Sequence, residues 1–352
     1  MRIVYGVAGE GRGHLSRSRE IINHLKSEGH ELLIITYGQA YASLSKNFTT
    51  IKINGIHPII KSNKMKLIQS HFTNTPRVLK DLARWKQINK QINAFSPDLF
   101  ITDFEPYTAR LAYRNKKPLI SIDNQHLLLQ EIPQHIKKAH YKDFIVSKYA
   151  SKFCVPKADL FIILSLFNIE LKTKKAIIIP PVIKSEIRNA KPKKGNHILV
   201  YLSKPDDALL DTLRKIPEHF IIYGYNMNSK DKNLTFKKDN ENFIKNISSC
   251  KAVLATAGFS LISESIFLKK PYFALPYYHF EQTLNAYFIK EQGLGEFSKK
   301  PTESQIKKFL ANLKVYEVKL KRLQLIKQNS LELISKAVRD NSKKRLKNLK
   351  NS

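Results

Sequence analysis

Short apolar runs of strand type alternate with amphipathic helical patterns, and this alternation runs through the chain twice. Arg2–Val7, Glu31–Thr36, Pro97–Thr102, Pro118–Asp123, Ala158–Ser165 and Ala176–Ile179 read as strands. Leu15–Glu28 and Tyr107–Arg114 carry helical spacing; Ile21, Ile22 and Leu25 share one face of the first, and Gly29 ends it. Apolar strands alternating with helices predict a parallel sheet covered on both faces. A polar, basic stretch, Lys184–Asn196, interrupts the pattern, which then restarts. His197–Leu202, His219–Gly224, Ala252–Ala255 and Pro271–Leu275 read as strands, with helices at Asp206–Lys215, Phe243–Ser249, Leu261–Leu268 and Asn285–Gln292. From Thr302 the chain reads as helix to near its end. The expected architecture is two doubly wound α/β domains in tandem. The first spans 1–185, a linker 186–196, the second 197–305, and a helical segment 306–352.

Hydrophobic residues are 42% of the 352, which is enough for packed cores and excludes wholesale disorder. The two cysteines, Cys154 and Cys250, lie far apart, so neither a disulfide framework nor a Cys-based zinc site is expected. A reducing cytosol fits that usage. No secretory signal is visible at the start, and no apolar run reaches the roughly 18 residues of a spanning helix. The net charge of +32 favours polyanions or phosphate-rich substrates, or reflects lysine spread over a solvated surface. Lys61–Lys90 contains one acid, Asp81. Within it and just before, Ile59–Trp85 mixes Ile68, Phe72, Val78, Leu79, Leu82 and Trp85 with basic residues. Such a stretch suits an anionic membrane surface or an acceptor, or is an ordinary surface helix.

Two motifs carry chemistry. Gly6-Val7-Ala8-Gly9-Glu10-Gly11-Arg12-Gly13-His14 follows the first strand and opens the first helix. Glycines there permit close backbone approach, and a helix N-terminus favours anions. A dinucleotide fingerprint fits poorly, because His14 stands at the third glycine position and Thr36-Tyr37-Gly38 ends the second strand without an acid. The second motif is Thr256-Ala257-Gly258-Phe259-Ser260, then Glu264, Pro271, Pro276, His279, Glu281, Gln282 and Asn285. It reads as strand, turn, helix, strand, then a loop from Tyr277 to Gln282. Ligands bind outside the carboxyl ends of strands in such sheets. Amides near Gly258 suit a pyrophosphate, Glu264 suits a ribose diol, and Glu281 with Gln282 suits sugar hydroxyls.

The segment Cys250–Leu294 resembles the donor-binding region of GT-B glycosyltransferases. It is most similar to the group around the peptidoglycan lipid-intermediate N-acetylglucosaminyltransferase and its uncharacterised bacterial and archaeal relatives. Gly-Glu-Gly-Arg-Gly-His at Gly9–His14 matches the glycine-rich loop that the family places towards the acceptor. Thr102–Pro106 and Ile198–Leu202 add to the match with those relatives. The resemblance implies two Rossmann-like domains facing a cleft. It implies that Glu264 holds a nucleotide ribose, that Gly258, Phe259 and Ser260 lie near the phosphates, and that His279, Glu281 and Gln282 line the donor-sugar side. Gly11, Gly13 and His14 would border the cleft. One departure is Ser203-Lys204-Pro205-Asp206, where the family has a glycine- and serine-rich loop.

The resemblance implies an inverting, metal-independent glycosyltransferase that uses a nucleoside diphosphate sugar, UDP as the leading choice. The acceptor would be a cell-envelope glycan or a lipid-linked compound at the inner face of the plasma membrane. No further cofactor and no metal are expected, and nucleic acid is not the expected partner. The general base is His14 or Asp103, with Asp123 beside His126 as a third choice. Alternatives of the same charge or fold are a nucleotide-sugar 2-epimerase, a nucleic-acid-binding protein and a transferase acting on DNA.

Overall fold

The computed structural model describes the chain except residues 58, 59, 62, 63, 66, 131, 168, 239, 278, 279, 324–328, 351 and 352. For 12, 60, 61, 64, 65, 67–71, 240, 241 and 342–350 the backbone alone is described. The chain divides into two compact units, Met1–Val182 with Leu325–Ser352, and Ile183–Gln324.

In the first unit the chain runs β1 (Arg2–Val7), α1 (Arg12–Ser27), β2 (Glu31–Thr36), α2 (Gly38–Leu44) and β3 (Thr50–Lys52). A small hairpin, β4 (Ile60–Lys61) and β5 (Lys64–Met65), precedes α3 (Leu67–Ala83) and α4 (Trp85–Phe95). There follow β6 (Leu99–Asp103), α5 (Pro106–Arg114), β7 (Leu119–Asp123), α6 (Gln134–Ala139), α7 (Tyr141–Cys154), β8 (Leu160–Leu164) and β9 (Ala176–Ile179). The sheet order is β3-β2-β1-β6-β7-β8-β9, all parallel. Strands such as Leu99–Asp103 and Leu119–Asp123 are buried at every position, which is why their sequences are mostly apolar, with Thr102, Asp103, Ser121 and Asp123 as buried polar exceptions. One sheet face packs Val4, Leu33, Ile35 and Phe100 against Ile88 and Ile92 of α4 and Ala109 and Ala112 of α5. On α1, Ile21, Ile22 and Leu25 are fully buried, worth about 1.5–3 kcal/mol each.

The second unit contains α8 (Ser185–Arg188), β10 (His197–Tyr201), α9 (Asp207–Arg214), β11 (His219–Tyr223), β12 (Ser229–Asp231) and β13 (Leu234–Phe236). It continues with α10 (Asn240–Ser249), β14 (Ala252–Thr256), α11 (Phe259–Phe267), β15 (Tyr272–Leu275), α12 (Phe280–Glu291) and β16 (Gly295–Phe297). Helices α13 (Glu303–Ala311) and α14 (Leu313–Arg322) complete it. Its sheet order is β12-β13-β11-β10-β14-β15-β16, parallel except for β12 against β13. Leu209, Leu210 and Leu213 of α9 and Ile306 and Phe309 of α13 pack on Val200, Phe220, Ile222, Leu254 and Phe273.

The basic stretch read as a linker is tied to this unit. Lys193 N and Gly195 N donate to the carbonyls of Ser248 and Ser249, and Lys270 Nζ donates to Lys193 O. The helical tail is not continuous. Asn312 separates α13 from α14, and α15 (Ser330–Lys350) returns to the first unit, where it packs on α1 and Ser330 Oγ donates to Pro181 O.

Candidate active site

Each sheet reverses its direction of growth once, between β1 and β6 in the first unit and between β10 and β14 in the second. A crevice forms at the carboxyl ends of strands at such a reversal, because the flanking loops leave in opposite directions. Both sequence motifs lie at these points.

In the first unit, β1 runs into the glycine-rich turn and then α1. Gly11 is the N-cap with φ of 89°, a conformation that favours glycine. Gly13 lies inside the first turn of α1, so the helix starts earlier than the expected Leu15. A Cβ at Gly6 would run into Thr108 of α5, and one at Gly9 into Tyr37. These two glycines therefore serve close packing of the sheet edge. Three residues after His14, and so on the same helix face, comes Arg17. His14 Nδ1 lies 2.7 Å from Asp103 Oδ1 at the end of β6. Arg17 grips both oxygens of Asp103 through Nε and Nη2, and Ser18 Oγ donates to Oδ2 at 2.8 Å. The remaining Arg17 nitrogen, Nη1, donates to Asn124 Oδ1 at 2.7 Å.

Asp103 is 0% exposed. Burial alone would raise its pKa, but the Arg17 guanidinium and then His14 outweigh it and hold the carboxyl well below the usual range. An ionised carboxylate only accepts hydrogen bonds. With Nδ1 donating to that carboxylate, Nε2 is the nitrogen left for a substrate; Arg17 Nη2 also lies 2.8 Å from Nδ1. The His14 side chain is 16% exposed while Asp103 has no access to solvent. The two residues read from sequence as rival bases thus form one pair, in which only His14 can reach a substrate.

Phe104, between Asp103 and Glu105, has φ of 55°, unfavourable for a residue with a Cβ by about 1–2 kcal/mol. Its ring stacks on His14 with centroids 6.0 Å apart. Glu105 is fully buried and caps α5, accepting from Tyr107 N and Thr108 N, so its role is structural. Asp123, the third candidate base, is 1% exposed and bound by His126 Nδ1 at 2.7 Å and Ser121 Oγ at 2.8 Å. It faces no open space.

In the second unit, Gly258 N-caps α11 with no side-chain hydrogen bond to the first turn. Its φ is −75°, and a Cβ there would meet nothing within 4 Å. Neither backbone strain nor internal packing requires this glycine; the space above the helix start is open. Phe259 is buried and Ser260 partly so. Glu264, the sixth residue of α11, is nearly buried, with Lys184 Nζ 3.1 Å from Oε1. Burial pushes its carboxyl pKa up, and Lys184 offsets this only in part.

Thr256 and Leu275 are in register at the ends of adjacent strands. Asn285 Nδ2 donates to Ala257 O at 3.1 Å, so the Gly258 turn and the start of α12 meet directly. Glu281 and Gln282 are in the first turn of α12, not in a preceding loop as the sequence suggested. Gln282 Oε1 accepts from Tyr277 N at 2.9 Å, which closes the chain onto the helix start. Phe280 is buried, and burying it starts the helix earlier than the expected Asn285. His279 lies outside the described residues. In the loop that departs from the family pattern, Asp206 N-caps α9 through Leu209 N and accepts from Tyr277 Oη at 2.8 Å.

Sequence reading missed Arg17, Ser18, Asn124 and Lys184. Arg17 alone left a signal, a charged residue one turn from His14 on an otherwise buried face.

The model of the family described as glycosyl transferase family 1 matches residues 1–314. No curated protein sequence matches the chain. Among solved structures, a glycosyltransferase of kitacinnamycin is 17% identical with a TM-score of 0.67, over 92% of this chain and 94% of that one. CalG4, the calicheamicin glycosyltransferase, is 14% identical with a TM-score of 0.67, over 97% and 98%. VinC, solved in complex with dTDP, is 15% identical with a TM-score of 0.61, over 96% and 99%. These likenesses establish the GT-B architecture of two Rossmann-like units. With the family match covering most of its length, the chain belongs to glycosyl transferase family 1 and is a glycosyltransferase.

Proposed function

We propose that this glycosyltransferase acts by inversion, without a metal, on a nucleoside diphosphate sugar, and that its acceptor is a hydroxyl of a cell-envelope glycan or lipid-linked compound. The observation that carries the mechanism is the His14–Asp103 pair, with the carboxylate buried and the imidazole reachable. His14 Nε2 takes the acceptor hydroxyl proton. The acceptor oxygen forms a bond to the anomeric carbon as the bond from that carbon to the diphosphate oxygen breaks. The bonding pair leaves with the nucleoside diphosphate. Asp103 touches no substrate; it fixes the tautomer and stabilises the imidazolium formed during the step. Arg17 keeps Asp103 ionised.

The donor lies at the second unit's reversal point. The amides of Phe259 and Ser260 at the start of α11 face the diphosphate, beside Gly258, and the helix dipole offsets its charge. Glu264 accepts from the ribose hydroxyls once Lys184 is displaced, and Glu281 and Gln282 face the sugar. Gly11 and Gly13 border the acceptor edge. UDP is the first candidate for the nucleotide; dTDP in VinC supports a pyrimidine diphosphate.

The test is a melting-midpoint screen against UDP, dTDP and their sugars, since a ligand of the folded form alone raises the midpoint. A shift with one class, abolished in Glu264→Ala, is expected. A full shift in that variant sinks the assignment of the ribose site.

A further inference from the structure

Phe104 carries a cost that glycine in its place would not. Its φ of 55° lies in the left-handed region, where a Cβ is unfavourable. The turn that imposes this conformation is closed twice over. Thr102 Oγ1 donates to Glu105 O at 2.7 Å and accepts from Glu105 N at 3.0 Å, and Pro106 then opens α5 behind the Glu105 cap. Strain of this kind persists only where the surrounding structure over-determines it, and it gathers at functional sites. What the turn presents here is a phenyl ring, partly buried, directly after the carboxylate that binds His14.

That ring supplies what the hydrogen bonding of His14 lacks. The bond from Nδ1 to Asp103 fixes one edge of the imidazole. The last torsion of a histidine is broad, so the ring plane can still rock about that edge. A stacked neighbour limits the rocking. The planes of His14 and Phe104 lie 18° apart with centroids at 6.0 Å, an offset stack. Phe104 is itself braced by His126, which meets it edge on at 75° with centroids 6.3 Å apart. His126 is buried and fixed at both nitrogens, with Nδ1 2.7 Å from Asp123 Oδ2 and Nε2 3.2 Å from Val155 O. The ring of Phe161 lies 4.7 Å from it, centroid to centroid. Asp123 and His126, which the proton transfer does not use, thus anchor a row of rings that ends at His14.

We propose that Phe104 is a positioning residue of this transferase: stacked on His14 and braced by the fixed His126, it holds the imidazole plane and so the direction in which Nε2 meets the acceptor hydroxyl. The proposal rests on His14 as the base. Phe104 acts through His14 and touches no reacting atom.

The test is ring-nitrogen NMR of His14 in the isotope-labelled whole chain, without donor or acceptor, at a pH where the imidazole is neutral. His14→Gln identifies the signals. In the wild type the form protonated on Nδ1 is expected to dominate, as the bond to Asp103 requires. Phe104→Leu and Phe104→Met keep an apolar side chain on the same backbone and remove the ring. Each is expected to shift the tautomer ratio by about two- to tenfold towards the form protonated on Nε2, the loss of one aromatic pair. Phe104→Tyr is expected to restore the wild-type ratio. An unchanged ratio in the Leu and Met variants, or no restoration by Tyr, overturns the proposal. So does loss of the folded spectrum in both ring-less variants, since the ring would then be structural. Full turnover in His14→Ala would move the base elsewhere without altering these spectra, so failure of the base reading is told apart from failure of the brace.

Discussion

Two buried carboxylates, one in each unit, stand in opposite electrostatic states. Asp103 has a guanidinium, an imidazole and a hydroxyl on it, and its pKa is held well below the usual range. Among the described residues Glu264 has one lysine on it, itself a third exposed, and its pKa is pushed up by burial. The first arrangement is complete without substrate. The second lacks hydrogen-bond donors that a vicinal diol would supply. Under the proposed roles, the difference teaches that the base is organised by the fold, whereas the donor site is stabilised by its ligand. Asp103 contributes to stability; ionised Glu264 opposes it until something binds.

The sharpest break in this contrast is kinetic. His14→Ala is expected to lower kcat by about 10²–10⁴-fold with little change in donor KM, since one general base is removed. Asp103→Asn should approach that loss by favouring the wrong tautomer, and in the His14→Ala background it should cost little more. Full activity in His14→Ala would move the base elsewhere.

Stability separates the two carboxylates next. Arg17→Met leaves Asp103 short of its main counter-charge and should cost about 3 kcal/mol, read as a lowered denaturant midpoint. Glu264→Gln should leave the empty protein as stable or more so, yet weaken nucleotide binding by about tenfold or more, because a charged acceptor becomes a neutral one. Equal destabilisation by both changes would erase the distinction.

The pH dependence has opposite signs at the two residues. A carboxyl depressed on folding, such as Asp103, adds stability above the ordinary aspartate range, and that stability is lost as pH falls through the depressed value. A carboxyl raised on folding, such as Glu264, takes stability away as pH climbs from the ordinary glutamate range through the raised value. Denaturation of Glu264→Gln across mildly acid to neutral pH should therefore lack the decline contributed by Glu264, while acid sensitivity from Asp103 persists. The smallest effect belongs to Gly258→Ala. Its φ of −75° and open surroundings predict a stability change within about 1 kcal/mol, with donor affinity reduced because the methyl enters the space proposed for the phosphates.

Much of the fold was legible because parallel strands buried on both faces must be written as apolar runs. Leu99–Asp103, Leu119–Asp123 and Ala252–Thr256 fall within a residue or two of their sequence reading. The short edge strands Thr50–Lys52 and Gly295–Phe297 were not read, since three residues hold too little pattern. Helix α3 misleads any reading by hydrophobic periodicity, because Val78, Leu79 and Leu82 are exposed and Asp81 is buried.

The sequence by itself determined the tandem α/β alternation, the glycine-rich turn ending in His14, and the ordered set from Gly258 to Gln282. These are local: each depends on residue type and spacing within one strand, turn or helix. Only the tertiary structure decided that Asp103 is paired with His14, that Arg17 grips the same carboxylate, and that Glu264 is held by Lys184. Those relations join residues as far as 89 positions apart in the chain. They arise from which strands are neighbours in the sheet, and spacing along the chain does not encode that adjacency.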